Sequence, residues 1–205
     1  KEVYQTFTVA KEVFQEVDDV LGLSLSKIIF EGPEELLKQT RYAQPAIMVT
    51  SMAFFSVLRK EFGFDPCRLS AVAGHSLGEY SALIAVEAFS LSVGASLLKV
   101  RGEAMQMAVP EGEGTMAALI GLSLEICQQV VENVQHEGEI CQVANDNAPG
   151  QVVISGSTAG IEKATKWAKE LGAKRVMPLS VSGPFHSQLM ESAAQKLALA
   201  LADVH

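Results

Sequence analysis

The sequence GHSLG at residues 74–78 places Ser76 between two glycines in the pattern G-x-S-x-G. The apolar run 69–73 before it predicts a buried strand, and the run 79–85 after it predicts a helix. In that context the pattern indicates a nucleophile elbow, a sharp turn that exposes the serine hydroxyl beside a helix N-terminus. We expect a side chain at either flanking glycine to collide with neighbouring backbone. An ordinary serine in a strand-to-helix turn is the alternative.

A serine nucleophile needs a general base, and histidine most often supplies it. His186 is the best candidate, because it lies in the rigid turn SGPFHS at residues 182–187. His75 is adjacent to the serine, and consecutive side chains at an elbow point in different directions, so we expect it to pack or to support the turn. His136 has the polar surroundings of a surface residue. A loop histidine without a catalytic role is the alternative for His186.

Asp146 and Arg101 bear on whether the serine belongs to a hydrolase triad or to an enzyme that binds a carboxylated substrate. A hydrolase triad has an acid between serine and histidine in chain order, and Asp146 lies there. Its surroundings, NDNAPG at 145–150, favour a turn, so we expect a Ser–His dyad whose imidazole is oriented by another group such as a backbone carbonyl. Arg101 lies in an otherwise apolar helical run. It is either a fork for a substrate carboxylate or an arginine on a helix surface, and spacing alone favours the surface.

Two blocks of elements must position these residues. Residues 1–111 and 182–205 are predicted to form a large α/β domain, with helices over 3–17, near 33–38, from Pro45, over 79–85 and from 90–92. Residues 112–181 are predicted to form a small domain of order β-α-β-β-α-β, the ferredoxin-like unit. Its strands are predicted at 116–120, 140–144, 152–155 and 175–179, and its helices from Ser123 and over 161–171. Because the sequence opens and ends in helix patterns, we expect a fragment that lacks elements at both ends.

The composition predicts a soluble globular protein. Hydrophobic residues make up 48% and charged residues 20%, and the net charge of −8 argues against general nucleic-acid binding. The longest apolar run, 46–58, is too short to span a bilayer, and no secretory signal is expected, so we predict a cytoplasmic protein. Cys67, Cys127 and Cys141 have neither metal nor disulfide spacing and are expected to be reduced packing residues.

Four motifs together resemble the family of bacterial malonyl-CoA:acyl carrier protein transacylases. They are GHSLGEY at 74–80, Arg101, NAPGQVVISG at 147–156 and GPFHS at 183–187. Their order matches the family over essentially the whole chain. The resemblance implies an α/β-hydrolase-like large domain with a parallel sheet and an inserted ferredoxin-like small domain, in agreement with the pattern of elements. The chain lacks the family's Gly-Gln-Gly-Ser-Gln loop on the first strand and its C-terminal segment, whose glutamine carbonyl orients the histidine.

The same resemblance implies an [acyl-carrier-protein] S-malonyltransferase of type II fatty acid biosynthesis. Ser76 would take the malonyl group from malonyl-CoA as an ester, with His186 as the base. The phosphopantetheine thiol of acyl carrier protein would then collect the group. Malonyl-CoA and the carrier protein are the partners implied. No cofactor and no metal are implied, and a monomer without nucleic-acid or membrane partners is expected.

Four residues are implied to bind the substrate: Arg101, Leu77, Asn147 and Phe185. Arg101 would hold the malonyl carboxylate, and the Leu77 N–H would form half of the oxyanion hole. Phe185 beside the histidine resembles the malonyl-type signature of related acyltransferase domains, where bulk disfavours a methyl branch. Such a pocket discriminates one methyl group by only a few kcal/mol.

Carrier proteins of this type are acidic, which draws attention to the basic residues of the small domain: Lys163, Lys166, Lys169, Lys174 and Arg175. Charge complementarity would mainly raise the association rate. Lys174 and Arg175 precede the strand that leads to His186 and are the favoured docking residues. A solvated helix face is the alternative for Lys163 and Lys169.

Three other functions fit part of the pattern. A serine esterase or thioesterase with Asp146 in a triad would hydrolyse its acyl-enzyme quickly and would not need Arg101. An acyltransferase domain of a polyketide or fatty-acid megasynthase would perform the same chemistry on a tethered partner, and the compact motif set favours the free-standing enzyme. An inactive remnant that only binds carrier protein is the third.

Overall fold

The computed structural model describes residues 1–204, so His205 lies outside the described residues. The chain divides into two compact units. The first contains Lys1–Glu103 and the chain from Lys196 onward, and the second contains Ala104–Gln195. The division predicted from the sequence, 1–111 with 182–205 against 112–181, stays a prediction.

The described part of the first unit is helical. Its helices are α1 (Glu2–Thr6), α2 (Thr8–Leu21), α3 (Leu25–Glu31), α4 (Glu34–Lys38), α5 (Thr40–Phe62), α6 (Gly78–Ala85) and the larger part of α7 (Leu91–Met107). The second unit contains β1 (Gly114–Ile120), α8 (Leu124–His136), β2 (Cys141–Ala148), β3 (Gln151–Ser157), α9 (Thr158–Glu170) and β4 (Arg175–Pro178), and α10 (Glu191–Ala202) follows them.

Helices α2 and α5 form the centre of the first unit. Apolar residues recur along α2 every three or four positions and form one buried face: Val9, Ala10, Val13, Phe14, Val17 and Leu21. This face belongs to one hydrophobic core with Met48, Val49 and Met52 of α5. The helix predicted over 3–17 is two helices, because Phe7 between α1 and α2 has an extended backbone (φ −109°, ψ 125°).

The predicted start of α5 at Pro45 is wrong, since the helix begins at Thr40. Proline removes only one helical hydrogen bond when it lies near the start of a helix, and the ring of Pro45 is fully buried. Gln44 Nε2 also donates to Thr40 Oγ1 at 2.9 Å across the additional turn. Burial and this side-chain bond therefore place a turn of helix ahead of the proline.

The strand predicted at 69–73 is not present as a strand in the described chain. A strand needs a neighbour with which to exchange backbone hydrogen bonds, and the first unit, as far as it is described, contains no other strand. The segment is instead exposed, with Leu69 43% and Val72 36% accessible. Its apolar pattern is that of a buried strand. No strand with which it could pair is among the described residues of this unit.

The second unit is built on a four-stranded antiparallel sheet in the order β2-β3-β1-β4. Helices α8 and α9 share a hydrophobic core with one face of it, and the sequence order of these elements is the predicted β-α-β-β-α-β. Ser123 caps α8 as expected, since its hydroxyl accepts a hydrogen bond from the Ile126 N–H. The turn predicted at 145–150 is shorter than expected, because β2 continues to Ala148 through two register shifts and Gly150 (φ 76°) makes the turn.

Cys127 and Cys141 are fully buried in the core of the second unit, as predicted, and both thiols are free. Cys67 is exposed, so its prediction as a packing residue is wrong. It lies in a short 3-10 turn whose polar contact is the Asp65 side chain rather than a hydrophobic core. Within residues 1–204 no group of three His, Cys, Asp or Glu side chains is placed to hold a metal ion. No helix in that range is long and apolar enough to cross a bilayer.

Candidate active site

Ser76 lies at the tip of a tight turn that leads directly into α6. Its backbone has a positive φ of 53°, in the left-handed region that non-glycine residues seldom adopt. The Gly78 N–H donates to the His75 carbonyl at 2.9 Å, and the Glu79 N–H donates to the Ser76 carbonyl at 3.2 Å. Leu77 is the N-cap residue of α6. The turn therefore has the strained backbone of a nucleophile elbow, with the serine beside a helix N-terminus.

The two glycines of the elbow have different roles. A Cβ at position 74 would overlap the backbone of Gly78 and Glu79, so only glycine fits there. A Cβ at position 78 would meet nothing within 4 Å, so the predicted collision at Gly78 is wrong. Only position 74 is crowded, because a Cβ there would point at the backbone of Gly78, whereas a Cβ at position 78 would point away from Gly74. The side chain of His75 is exposed, and it is the His75 carbonyl that supports the turn.

Arg101 lies beside the elbow, where its guanidinium joins two polar side chains. Nη2 donates to Ser76 Oγ at 3.1 Å, and Nη1 donates to Gln44 Oε1 at 2.5 Å. The guanidinium carbon also lies 5.9 Å from the centre of the Tyr80 ring. The surface position that spacing favoured for Arg101 is wrong. The contacts of its guanidinium show that the side chain is partly buried and points toward the elbow.

A close approach of α7 to α5 brings Arg101 to Gln44. A Cβ at Gly102 would lie 2.7 Å from the Arg41 Cα and 2.9 Å from the Thr40 carbonyl oxygen. Glycine at position 102 thus lets the two helices meet at the first turn of α5. The neighbouring residue, Arg101, is thereby held against the next turn of the same helix.

Burial sets the electrostatics of this cluster. Burial lowers the pKa of the Arg101 guanidinium below its ordinary value, an effect that the nearby Tyr80 and Glu79 partly oppose. Burial raises the pKa of the Tyr80 hydroxyl from 10.0, and the charge of Arg101 opposes that shift. Arginine stays protonated throughout the physiological range. A fixed positive charge therefore lies within hydrogen-bond distance of Ser76 Oγ.

A cavity of about 640 Å³ opens on one side of the elbow. Its walls are mostly apolar side chains of α5 and α6, together with residues 72–78. Arg101 and Gln44 do not line it. A carboxylated acyl group needs a cation, so we do not assign this cavity to the acyl group. Val72 and Ala73 of the exposed segment 69–73 belong to its lining.

The predicted base, His186, lies in the second unit. It too has a positive φ, 59°. Side chains hold the surrounding turn: Ser187 Oγ donates to the Pro184 carbonyl at 2.7 Å, and Gln142 Oε1 accepts a hydrogen bond from the Gln188 N–H. Phe185 packs against a small hydrophobic cluster that includes Met190. A histidine held at positive φ in a braced turn supports a functional role.

The other predicted residues also belong to the second unit. Asn147 lies near the end of β2 and is exposed. Asp146 precedes it on the same strand, is exposed, and lies opposite Val152 of β3. The structure therefore brings together Ser76, Leu77 and Arg101 in the first unit. The pairing of Ser76 with residues of the second unit stays a prediction.

Lys174 and Arg175 are both exposed at the start of β4. The Lys174 N–H donates to the Ile120 carbonyl at 2.9 Å, and its side chain lies over Gly121. Lys163 instead pairs with Glu137 at 3.3 Å and Glu139 at 3.6 Å, so its charge is locally compensated. Lys174 and Arg175 are thus the better presented pair of this basic group.

Sequence reasoning missed Gln44 and Thr40. The signal that could have found them is a polar pair four residues apart at the start of an otherwise apolar helix. Such a pair shares one helix face, and Gln44 and Thr40 are 3% and 6% exposed. Buried polar side chains need hydrogen-bond partners, so their burial alone points to a polar neighbour from elsewhere in the chain.

Comparison with known proteins identifies what this arrangement is similar to. A family model described as the acyl transferase domain matches residues 2–205. The malonyl CoA-acyl carrier protein transacylase of Bacillus subtilis (strain 168) is 50% identical over 197 residues, covering 96% of this chain and 61% of that protein. The protein of the same name from Escherichia coli (strain K12) is 41% identical over 199 residues, covering 97% of this chain and 63% of that protein.

Solved structures agree. The acyl-carrier-protein-S-malonyltransferase of Bartonella henselae matches with a TM-score of 0.94 at 50% identity, over 99% of this chain and 64% of that chain. A malonyl-transacylase in complex with a type II PKS acyl-carrier protein matches with a TM-score of 0.93 at 42% identity, over 98% of this chain and 64% of that chain. The chain thus spans between 61% and 64% of the length of these four proteins.

These matches confirm the resemblance inferred from the four motifs. They also confirm the predicted fold class, an α/β-hydrolase-like large domain with an inserted ferredoxin-like small domain. The small domain's sheet is fully formed in the second unit. In the first unit, the helices around the elbow are the described part of the larger domain.

Proposed function

Because the chain belongs to the acyl transferase domain family, we propose that it transfers malonyl groups from malonyl-CoA to acyl carrier protein through an ester on Ser76. The observation that carries this proposal is the hydrogen bond from Arg101 Nη2 to Ser76 Oγ. A permanent cation at the nucleophile favours an acyl group that carries its own carboxylate. The names of two relatives, malonyl CoA-acyl carrier protein transacylases, support both the donor and the acceptor.

The reaction has two acyl-transfer steps. Ser76 Oγ attacks the thioester carbon of malonyl-CoA while His186 takes the hydroxyl proton. The C–S bond then breaks, and His186 returns the proton to the departing CoA thiol. In the second step the phosphopantetheine thiol of the carrier protein attacks the malonyl ester, and its proton passes through His186 to Ser76. The thioester formed replaces the one consumed, so the two steps balance without an oxidant or a reductant.

Each remaining site residue has one role in this proposal. The Leu77 N–H, at the N-terminus of α6, donates to the oxyanion that forms on the thioester oxygen. Arg101 binds the malonyl carboxylate and keeps the ester in a geometry unsuited to attack by water. Phe185 supplies bulk against a methyl branch, and Asn147 contacts the substrate. Lys174 and Arg175, exposed at the start of β4, receive the acidic carrier protein.

The proposed reaction is also consistent with the expectations for cofactor, oligomeric state and pathway. The thioester already activates the acyl group, so no cofactor is required. One Ser–His pair from one chain suffices, which is consistent with a monomer. The activity belongs to type II fatty acid biosynthesis in the cytoplasm. Asp146 has no part in it, since an exposed carboxylate on a strand is a poor orienting acid for an imidazole.

The test is an intact-mass measurement after incubation with malonyl-CoA. We expect a stable malonyl adduct on the wild-type chain and none on Ser76→Ala. Free malonate accumulating without an adduct would indicate a hydrolase and overturn the proposal. A folded protein that forms neither adduct nor malonate would overturn it as well, in favour of a chain that only binds carrier protein.

A further inference from the structure

We propose that Gln44 is a positioning residue that holds Arg101 toward Ser76 and thereby determines the preference for carboxylated acyl groups. The inference rests on the proposed function and extends it to a residue outside the four motifs. Three hydrogen bonds form one chain that starts at Thr40, passes through Gln44 and Arg101, and ends at Ser76.

The orientation of the Gln44 amide is fixed by its partners. Its Nε2 donates to Thr40 Oγ1 at 2.9 Å, so the amide oxygen faces the other way, toward Arg101. A guanidinium has donors only and can pair only with an acceptor. Rotating the amide would set its NH₂ group against Arg101 Nη1, donor against donor. Arg101 therefore selects the amide orientation, and the Thr40 hydroxyl, which can accept, holds the NH₂ group in it.

Burial makes this arrangement rigid. Gln44 is 3% exposed and Thr40 is 6% exposed, and both lie on α5 beside the fully buried Pro45. Water does not compete for buried polar atoms of this kind, so a bond broken here is not replaced by a bond to solvent. The position of Arg101 Nη1 is thus determined by a helix rather than by a mobile surface side chain.

The neutral charge of Gln44 matters as much as its position. An amide oxygen orients the guanidinium without neutralising it, so Gln44 leaves the positive charge near Ser76 Oγ in place. A carboxylate at the same place would form an ion pair with Arg101 and would compete with the acyl carboxylate for the same planar fork. Glutamine therefore orients the guanidinium and adds no negative charge beside it, and both effects favour a negatively charged acyl group.

The test compares Gln44→Glu with a matched control, Gln39→Glu. Gln39 also accepts a hydrogen bond from an arginine, since Arg41 Nε donates to its Oε1 at 3.0 Å, but that pair lies on the protein surface. For each variant the rate of ester formation on Ser76 is measured with malonyl-CoA and with acetyl-CoA, as kcat and KM separately. Thermal unfolding of each variant is recorded in parallel.

We expect Gln44→Glu to lower kcat/KM for malonyl-CoA roughly 10- to 100-fold, mostly through KM, as for loss of a hydrogen bond to a charged group. Loading from acetyl-CoA should change less than about threefold, because the acetyl group makes no bond to the guanidinium. Gln39→Glu should leave both rates within about twofold. The ratio of the two substrates is decisive, since a merely structural loss would lower both rates together.

Two outcomes would overturn the inference. The first is an unchanged malonyl-to-acetyl ratio in a folded Gln44→Glu variant, whether both rates stay the same or fall equally. If Gln44→Glu does not fold, Thr40→Val decides, because it removes only the hydroxyl that accepts the hydrogen bond from the Gln44 amide. This variant should lower the malonyl-to-acetyl ratio about three- to tenfold, and an unchanged ratio is the second outcome. A wild-type chain that loads acetyl as well as malonyl would instead contradict the proposed function itself.

Discussion

Arg101 Nη2 lies 3.1 Å from Ser76 Oγ and donates a hydrogen bond to it, which joins α7 to the elbow ahead of α6. The two residues are 25 positions apart in the chain, so the contact depends on the packing of α5, α6 and α7 rather than on local sequence. A cation in this position stabilises negative charge on the serine oxygen and on a carboxylate delivered to it. In the proposed reaction the same side chain would thus affect both the nucleophile and the selection of its acyl group.

Replacing Arg101 with alanine should change the substrate preference. We expect Arg101→Ala to lower kcat/KM for malonyl-CoA about 100-fold or more, since it removes a charge-assisted contact to the substrate carboxylate. Transfer of uncharged acyl groups should be spared or improved. The measurement is the rate of ester formation with malonyl-CoA and acetyl-CoA.

Arg59→Ala is the matched control for that prediction. Arg59 pairs with Glu87 at 2.9 Å on the surface of the same unit, so its loss should leave both rates within about twofold. If Arg101→Ala keeps the malonyl preference of the wild type, Arg101 does not bind the acyl carboxylate.

The two elbow glycines should respond differently to alanine. Gly74→Ala forces a Cβ into the backbone of Gly78 and Glu79, so we expect a loss of about 3 kcal/mol or more in the free energy of unfolding. Gly78→Ala adds a Cβ where nothing lies within 4 Å, and stability should stay within about 0.5 kcal/mol. Thermal and urea unfolding of the two variants check this. Equal effects would mean that the elbow adjusts around residue 74.

The three thiols should differ in reactivity. Burial raises the pKa of Cys127 from 9.0 to about 11, with a further rise from the charge of Asp146. Burial raises the pKa of Cys141 to about 12. At pH 8 a thiol with pKa about 11 is only about one-thousandth ionised, and the thiolate is the reactive form. In the native protein iodoacetamide should therefore modify Cys67 alone, with all three cysteines modified in denaturant.

The same shifts give a pH dependence of stability. The folded pKa values of Cys127 and Cys141 exceed the ordinary value of 9.0, so the folded state holds these protons more tightly. This contribution to the stability of the second unit is fully present below about pH 9 and is lost as the pH rises toward 11 and 12. Urea unfolding at pH 8 and pH 10 measures the decline. A Cys127→Ser, Cys141→Ser variant should lack this decline.

Charge reversal at the start of β4 should weaken recognition of the carrier protein. We expect Lys174→Glu with Arg175→Glu to raise KM for acyl carrier protein about tenfold at low salt and less at high salt, because screening weakens surface attraction. Loading of Ser76 from malonyl-CoA should be unchanged. The control, Lys11→Glu with Lys27→Glu, makes the same charge change at exposed positions of the first unit. A KM that does not respond to the first pair, or responds equally to the second, contradicts this docking site.

Local patterns predict much of this structure. The strands of the second unit follow from short apolar runs, and the cap at Ser123 follows from its position ahead of an amphipathic helix. The elbow follows from its glycines, although only Gly74 is sterically required. These features depend on interactions between residues close together in the chain, so the local sequence is enough to predict them.

The features that sequence did not predict are long-range. Arg101 has the spacing of a surface residue, and only the close approach of α7 to α5 at Gly102 places it in the site. Gln44 has no motif at all, since its partner is 57 positions away. The segment 69–73 has the pattern of a buried strand, yet a strand exists only with a neighbour to pair with. Patterns of single segments contain no information about such partners.

Threonine carries the same hydroxyl as serine, yet the backbone at position 76 disfavours it. At a φ of 53° a β-branched side chain crowds the adjacent peptide groups, whereas serine and cysteine, with one heavy atom on Cβ, fit. Only unbranched nucleophiles can therefore arise at this turn by substitution of one residue. The positive φ of this one residue therefore limits which nucleophiles the turn can accept.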